Sequence, residues 1–255
     1  MYRVDLNCDL GESFGNYKLG MDDAVLPFMT SANVACGFHA SDPVVMMKTV
    51  DLAVKNNAAI GAHPGFPDLQ GFGRRNMVMT PVEIKAMVMY QIGALNAFCA
   101  AKGVKLQHVK PHGALYNMAG KDRKMAEAIV EAIKAVDPSL ILLAPATSLM
   151  YVCAKEQRLP CACEVFADRA YEEDGSLVAR SKEGSMITDE DVAVARVIRM
   201  IKEGKVTAIT GKDIDIKAES VCIHGDGPKA VAFAEKITSA LKNEGIEIAP
   251  MSLLQ

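Results

Sequence analysis

"KLQHVKPHGALYN", residues 105–117, holds a strand-like stretch that ends in a lysine, a proline and a histidine. Proline lacks the N–H that a sheet needs, so it belongs at the last residues of a strand. Side chains alternate between the two faces of a strand, which puts His108, Lys110 and His112 on one face. Val109 and Pro111 take the other face. Basic groups at the end of an apolar strand are typical of parallel α/β proteins, which carry their chemistry at the carboxyl ends of the strands.

The same alternation of strands and helices runs along the whole chain. The predicted strands span residues 2–10, 31–36, 58–63, 105–112, 140–145, 161–166 and 220–225. The predicted helices span residues 43–56, 81–102, 121–136, 146–157, 189–203 and 228–244, with a β-hairpin in 205–219 and a long polar loop in 167–187. This order predicts one α/β domain over residues 1–255, with parallel strands and right-handed crossovers. An open sheet and a barrel both fit the pattern.

Composition narrows the class of protein. The 255 residues carry a net charge of −3, with 50% hydrophobic and 23% charged residues. A nearly neutral chain without a basic block does not suggest a nucleic-acid partner. No apolar run reaches about 18 residues, so we expect no membrane span. The first ten residues read as a strand rather than a signal peptide, so we expect a cytoplasmic protein. Seven scattered cysteines without a Cys-x-x-Cys pair are expected to be buried apolar residues.

Six of the seven predicted strands end in acidic or basic residues. The strand ends are "NCDLGE" (7–12), "CGFHASDP" (36–43), "GAHPGFPD" (61–68), "VKPHG" (109–113), "EVFADRAY" (164–171) and "IHGDG" (223–227). Four of the five histidines lie at these ends, and the fifth, His108, lies within a strand, where we expect a structural role. Strand ends of a parallel sheet meet at one edge, so this pattern predicts an active site there.

The candidate residues follow from this placement. The predicted catalytic residues are Asp9, Glu12, His39, His63, Lys110 and His112. The predicted substrate-binding residues are Asn7, Arg74, Glu164, Asp168, Arg169, His224 and Asp226. Burial is expected to lower the pKa of Lys110, which would suit it to polarise a carbonyl or to hold an anion. Arg74 lies in the glycine-containing loop "PDLQGFGRRNM" (67–77), a further candidate for anion binding.

A divalent metal is a further option, although no His-Glu-x-x-His motif is present. If a metal is bound, Asp9, His39, His63 and His112 could supply a mixed nitrogen and oxygen site. The chain contains no G-x-x-x-x-G-K-[ST] motif, so ATP is not expected to be held in a P-loop of this chain.

Six blocks resemble the LamB/YcsF family, in order and at fitting spacing. They are "DLNCDLGESFG", "ANVACGFHASDP", "GAHPGFPDLQGFGRR", "HVKPHGALYN", "EVFADRAY" and "VCIHGD". Two positions depart from the family pattern: Ser41 and Gly227 stand where the family usually has glycine and threonine. The resemblance implies a (β/α) barrel-like fold with about seven mainly parallel strands, similar to the barrels of glycoside hydrolases and deacetylases.

The resemblance also implies an activity, the ATP-dependent hydrolysis of the 5-oxo-L-proline lactam to L-glutamate with partner subunits B and C. ATP would then be bound with or by the partner subunits. In this reaction Asp9 would act as general base beside a histidine, and Lys110 would stabilise the developing oxyanion. Arg74 or Arg169 would hold the substrate carboxylate. A second set of residues would orient or protonate the leaving nitrogen: Glu12, Glu164 and Asp226.

Two other functions are consistent with the same residues. The first is a metal-dependent carbohydrate deacetylase-like hydrolase, suggested by the barrel type and the cluster of aspartate and histidine. The second is a non-catalytic subunit that binds a ligand or a partner. Activity on acetylated sugars without ATP would favour the first, and strand-end variants that keep full activity would favour the second.

Overall fold

A computed structural model describes residues 2–223 and 230–254. The strands among these residues are β1 (Tyr2–Leu10), β2 (Ser31–Ala35), β3 (Ala59–His63), β4 (Leu106–Val109), β5 (Ile141–Ala144), β6 (Cys161–Phe166), β7 (Lys205–Thr207), β8 (Asp213–Asp215), β9 (Ser220–Cys222) and β10 (Ile246–Ile248). The helices are α1 (Asp22–Val25), α2 (Pro43–Lys55), α3 (Pro81–Ala101), α4 (Gly113–Ala119), α5 (Arg123–Val136), α6 (Leu149–Glu156), α7 (Glu190–Glu203) and α8 (Ala230–Asn243).

Seven parallel strands close into a barrel with helices between them, which confirms the predicted fold class. The order around the barrel is β1, β2, β3, β4, β5, β6 and β9, and β9 pairs with both β6 and β1. Closure is seen in the register, where Ser220 pairs with Asp5 on one side and Glu164 on the other. β10 extends the sheet beside the start of β1. The predicted hairpin is also present, as the antiparallel pair β7 and β8.

The fourth strand is shorter than predicted. β4 ends at Val109, although the N–H groups of Lys110 and His112 still donate to the carbonyls of Ala62 and Pro64 at 2.9 and 2.8 Å. Pro111 has no N–H to continue the ladder. The chain then turns at Gly113, whose φ is +54°, into α4, a helix that the sequence pattern did not predict.

The two faces of β1 divide as the alternation predicts. Val4, Leu6, Cys8 and Leu10 are buried in the apolar layer between barrel and helices. Asp5 and Asn7 are fully buried and take part in a polar network inside the barrel. There the Asp5 carboxylate accepts hydrogen bonds from three hydroxyl groups, those of Thr30, Ser31 and Ser220. These bonds reduce the large cost of burying a carboxylate.

His108 is part of the same interior network, which confirms its predicted structural position. Its Nε2 atom lies 2.7 Å from Oδ1 of Asn33. The amide nitrogen of Asn33 donates to Asn7 and Asp9. Burial, together with nearby Lys110, lowers the pKa of His108 to about 3, so the ring is neutral.

Helix α3 illustrates how sequence signals set an element. Thr80 and Glu83 form a capping box at its start, with Pro81 in the first turn. By length and composition alone this helix could cross a membrane. In the structure it packs against α5 and buries side chains that include Ile84, Ile92 and Leu95. All seven cysteines are free and buried, as predicted.

Candidate active site

A cavity of about 860 Å³ opens at the carboxyl end of the barrel. Its lining includes Asp9 from β1, His63 from β3 and residues that come after β4, among them Lys110 and His112. The polar loop after β6 closes another side of the cavity and brings Arg169 into the lining. The strand ends therefore meet at one mouth, as the sequence pattern predicts.

The predicted residues divide into three groups. Those that line the cavity are Asp9, Glu12, His63, Arg74, Lys110, His112 and Arg169. Within the described part of the chain, four others lie outside the lining: Asn7, His39, Glu164 and Asp168. Of these, Asn7, His39 and Glu164 are almost fully buried behind it. His224 and Asp226 lie outside the described residues.

Three histidine rings form the centre of the site. The rings of His39 and His112 are stacked, with centroids 3.6 Å apart and planes inclined by 3°. The ring of His63 stands perpendicular to that of His112, and its Nε2 atom lies 2.9 Å from Nδ1 of His112. Glu12 is in contact with all three rings, at 3.0 Å from Nε2 of His39, 3.4 Å from Nδ1 of His112 and 4.0 Å from Nε2 of His63.

Backbone carbonyl groups hold two of these rings from behind. Nδ1 of His63 lies 2.7 Å from the carbonyl oxygen of Lys110. Nε2 of His112 lies 2.9 Å from the carbonyl oxygen of Phe72. Burial, with His63 nearby, holds the pKa of His39 well below its usual range, and burial with His39 nearby does the same for His112. Both rings are therefore neutral and can act as ligands or proton acceptors.

The loop that supplies the Phe72 carbonyl is shaped to fit the rings. Phe72 and Gly73 have φ angles of +54° and +62°, and only glycine adopts such values without strain. A Cβ atom at Gly73 would lie 2.7 Å from Cβ of His39 and 2.9 Å from Cδ2 of His112. The loop is fixed by a salt bridge between Arg75 and Asp68. Strained backbone of this kind is common at functional sites.

Lys110 occupies the floor of the cavity between two carboxylates. Its Nζ atom lies 2.8 Å from Oδ1 of Asp9. It also lies 2.9 Å from Oε1 of Glu164, in an ion pair that lacks hydrogen-bond geometry. Burial would lower the pKa of Lys110, but Asp9 and other neighbours outweigh burial and hold it well above its usual range. The predicted lowering of this pKa was therefore wrong, because both partner carboxylates are buried with the ammonium.

Asp9 links this ion pair to the histidines. Its Oδ1 atom accepts hydrogen bonds from Asn33 and Lys110, and its Oδ2 atom lies 3.3 Å from Nε2 of His63. Burial alone would raise the pKa of the Asp9 carboxyl. His63 and Lys110 outweigh burial and hold that pKa well below its usual range, so Asp9 is ionised.

The set of residues that could hold a metal differs from the predicted one. Glu12, His39, His63 and His112 offer ligand atoms that all lie within 4.8 Å of one another. Glu12 takes the place that was predicted for Asp9. The reason is local geometry, because Asp9 turns one oxygen toward Lys110 and Asn33. The cluster is suited to a divalent cation in its donor types.

Sequence reasoning missed several residues that shape the site. Tyr116 lines the cavity, and its hydroxyl donates to Oε2 of Glu164 at 2.7 Å. Asn33 joins Asp9 to the interior network. Phe72 contributes through its carbonyl group, which no side-chain pattern can reveal. Tyr116 could have been found, since it lies three residues beyond the strand end "VKPHG".

Comparisons with known proteins show that the chain belongs to the LamB/YcsF family. The profile of the LamB/YcsF family matches residues 4–255. The A subunit of 5-oxoprolinase from Clostridium beijerinckii is 66% identical over 251 residues, which cover 98% of each chain. The crystal structure of a "Lactam Utilization Protein" from Thermus thermophilus is 46% identical, has a TM-score of 0.92 and covers 97% of this chain and 99% of that one.

A more distant structure shares the fold alone. The family 4 carbohydrate esterase from Streptomyces lividans aligns with 98% of this chain and 98% of its own, at a TM-score of 0.50 and 11% identity. The likeness to this barrel is consistent with the predicted fold.

Proposed function

Because the chain belongs to the LamB/YcsF family, we propose that it is the A subunit of a 5-oxoprolinase, which opens the lactam ring of 5-oxo-L-proline to L-glutamate. The observation that carries the proposal is the cavity at the barrel mouth, where an ionised carboxylate, imidazoles and guanidinium groups lie together. A small cyclic amide with one carboxylate needs these groups: a base, a polarising group and an anion clamp.

Arg169 is the best candidate for holding the substrate carboxylate. It lines the cavity, its Nη2 atom donates to the carbonyl of Val178 at 2.6 Å, and its Nε atom has no hydrogen-bond partner among the described residues. Guanidinium groups bind carboxylates through two parallel hydrogen bonds. Arg74 also lines the cavity, with its guanidinium 4.9 Å from the centre of the Phe72 ring, and would add positive charge.

Asp9 is placed to take a proton from the attacking water. In this step the water oxygen bonds to the lactam carbonyl carbon, the ring C–N bond breaks, and the nitrogen gains a proton to become the amine of glutamate. Lys110 keeps Asp9 ionised and adds positive charge below the reacting carbonyl. Glu12 would orient the leaving nitrogen, which would receive the proton that Asp9 took from the water, while buried Glu164 acts through Lys110.

The proposal includes partner subunits B and C, which would bind ATP and use it to activate the lactam oxygen. The Clostridium relative is named as one lettered subunit of its enzyme, which supports an assembly of several chains. A divalent cation at the histidine cluster is also proposed, since the three imidazoles and the carboxylate are donors that suit one. We treat residues 1–255 as one catalytic domain and place the complex in the cytoplasm.

An omission assay tests the proposal. Purified subunits B and C, 5-oxo-L-proline and ATP are combined with and without this chain, and glutamate and phosphate are measured. We expect glutamate only when the chain is present. Hydrolysis of acetylated sugars without ATP, and no glutamate in the complete mixture, would replace the proposal with a deacetylase-like function.

Asp9→Asn tests the assigned base. Loss of the carboxylate should lower glutamate formation by roughly 100-fold or more, in the range of general base catalysis. Asp215→Asn is the matched control, because that side chain is 90% exposed in the hairpin far from the mouth. Near-normal turnover of Asp9→Asn in the complete mixture would defeat the assignment.

A further inference from the structure

The geometry points to a divalent-cation site with three protein ligands, Glu12, His63 and His112, and with His39 outside as a positioning residue. All three proposed ligands line the cavity, whereas His39 lies behind the wall. The four members of the cluster therefore have different roles.

Hydrogen bonds fix which nitrogen of each ring is free. Only an N–H group donates to a carbonyl oxygen, so His63 is protonated at Nδ1, which faces the Lys110 carbonyl. By the same reasoning His112 is protonated at Nε2, which faces the Phe72 carbonyl. That leaves Nε2 of His63 and Nδ1 of His112, which face each other at 2.9 Å. Two ring nitrogens at that distance need a proton or a cation between them, because their lone pairs would otherwise repel each other.

Glu12 supplies the third donor. Its Oε1 atom is 3.4 Å from Nδ1 of His112 and 4.0 Å from Nε2 of His63. Ligands about 2.1 Å from a tetrahedral zinc ion lie about 3.4 Å from one another, so the three observed separations bracket the required value. Two histidines and one carboxylate, open to a cavity, form a donor set that zinc and iron(II) both accept.

The stacked rings exclude His39 as a fourth ligand. A nitrogen lone pair lies in the plane of its imidazole ring. The planes of His39 and His112 are nearly parallel and their centroids are 3.6 Å apart, so a cation in the plane of one ring lies well outside the plane of the other. Nε2 of His39 instead donates to Oε1 of Glu12 at 3.0 Å, which orients that carboxylate.

Asp9 stays outside the ligand set for a different reason. One of its oxygens accepts from Asn33 and from Lys110, whose ammonium lies 2.8 Å away. The other oxygen lies 3.3 Å from Nε2 of His63, but Asp9 is not part of the group whose ligand atoms all lie within 4.8 Å of one another. A bound cation would act as a Lewis acid toward the lactam carbonyl or the attacking water. This catalytic role rests on the proposed function, whereas binding of the cation does not.

The test uses the untagged full chain alone, stripped with a chelator and titrated with Zn²⁺, and with Co²⁺ as a spectroscopic probe. We expect one metal per chain by elemental analysis and a visible Co²⁺ spectrum of low coordination number. Glu12→Gln and His112→Gln should each lower the affinity by at least 100-fold. Asp9→Asn should keep it, and His39→Asn should weaken it by roughly 10- to 100-fold, as expected for a residue that positions a ligand.

Two results would overturn the inference. One is a wild-type chain that takes up no metal. The close contact between His63 and His112 would then be explained by a proton that the two rings share. The other is loss of metal in Asp9→Asn while Glu12→Gln retains it. Circular dichroism of each stripped variant checks folding, and Glu12→Gln suffices if a histidine variant unfolds. If the chain binds metal but forms no glutamate in the complete mixture with subunits B and C, the proposed function is refuted and the metal site still stands.

Discussion

Lys110 shows at the residue scale how a buried charge is tolerated. It is 3% exposed, and its ammonium lies between Asp9 and Glu164, with Cys222 Sγ at 3.2 Å. The pairing keeps the ammonium and the Asp9 carboxylate ionised, because each offsets the burial of the other. Its main role is therefore to hold two carboxylates in place, which is a different role from that of a reactive amine.

Lys110→Met tests this pairing. Removing one partner from a buried ion network leaves uncompensated charge, so we expect a loss of about 3–5 kcal/mol in the free energy of unfolding, measured with urea. Lys121→Met is the matched control, because that side chain is 67% exposed on the cavity rim and should change stability by less than about 0.5 kcal/mol. Equal stability of the two variants would contradict the prediction.

Ser41 stands at one of the two positions where the chain departs from the family pattern. Its φ is +74°, in the left-handed region that favours glycine, and the residue is buried. Ser41→Gly should therefore stabilise the protein by about 1 kcal/mol. Ser41→Ala keeps a Cβ atom and should show no such gain. A gain in the alanine variant equal to that in the glycine variant would mean that the hydroxyl, not the backbone, is the source of strain.

At the element scale, the loop 67–77 positions the histidines. Gly73→Ala would bring a Cβ atom against His39 and His112, while Gly245→Ala, at a φ of +70°, meets nothing within 4 Å. Both changes should cost about 1 kcal/mol of stability through backbone strain. Gly73→Ala should cost more than Gly245→Ala, because its Cβ atom also clashes with the histidines. Only Gly73→Ala should lower turnover in the complete enzyme, by roughly 10- to 100-fold, because small displacements of catalytic groups are costly. Parallel losses of activity in both variants would contradict this role.

Local sequence patterns at this scale predicted some elements and missed others. Period-two alternation separates the polar residues of β1 from its apolar ones, and the capping signals around Thr80 set the start of α3. The end of β4 and the start of α4 were missed, because Pro111 and Gly113 mark a turn without indicating that a helix comes next. Glu12 was predicted near the site. That Glu12 joins the histidine cluster in place of Asp9 depends on the ion pair between Asp9 and Lys110, and no local sequence pattern predicts that pair.

At the scale of the whole molecule, the barrel closes where β9 meets β1. Asp5 on β1 accepts from Ser31 on β2 and Ser220 on β9, a pair of contacts that spans 215 positions of sequence. Strand and helix periods carry no information on such distant pairing, so a barrel and an open sheet could not be distinguished from the pattern. The family resemblance supplied the barrel instead.

The closure should depend on pH through Asp5. Burial, opposed by hydrogen bonds from Ser220, Ser31 and Thr30, raises the pKa of its carboxyl from 3.8 to about 6. The folded protein then binds more protons than the unfolded chain between these values, so this stabilisation is complete below about pH 4 and is lost as pH rises through 6. A shift of this size corresponds to about 3 kcal/mol.

Urea unfolding at pH 4, 5, 6 and 7 checks this sign. Over that range the wild type should lose about 2.5 kcal/mol of stability relative to Asp5→Asn, which has no carboxyl to titrate. Other groups shift both proteins alike, so the difference between the two curves isolates Asp5. Parallel curves would show that the three hydroxyl donors already keep Asp5 ionised at low pH.

The seven buried cysteines make the folded barrel resistant to thiol reagents. They are distributed over β1, the turn after β2, α3, α6, β6 and β9. A reagent can reach each sulfur only when its surroundings open, so the rate at which each thiol is modified reports the frequency of that local opening. The chain thus carries an internal set of probes for comparing the closing strand β9 with the helical shell, without any introduced label.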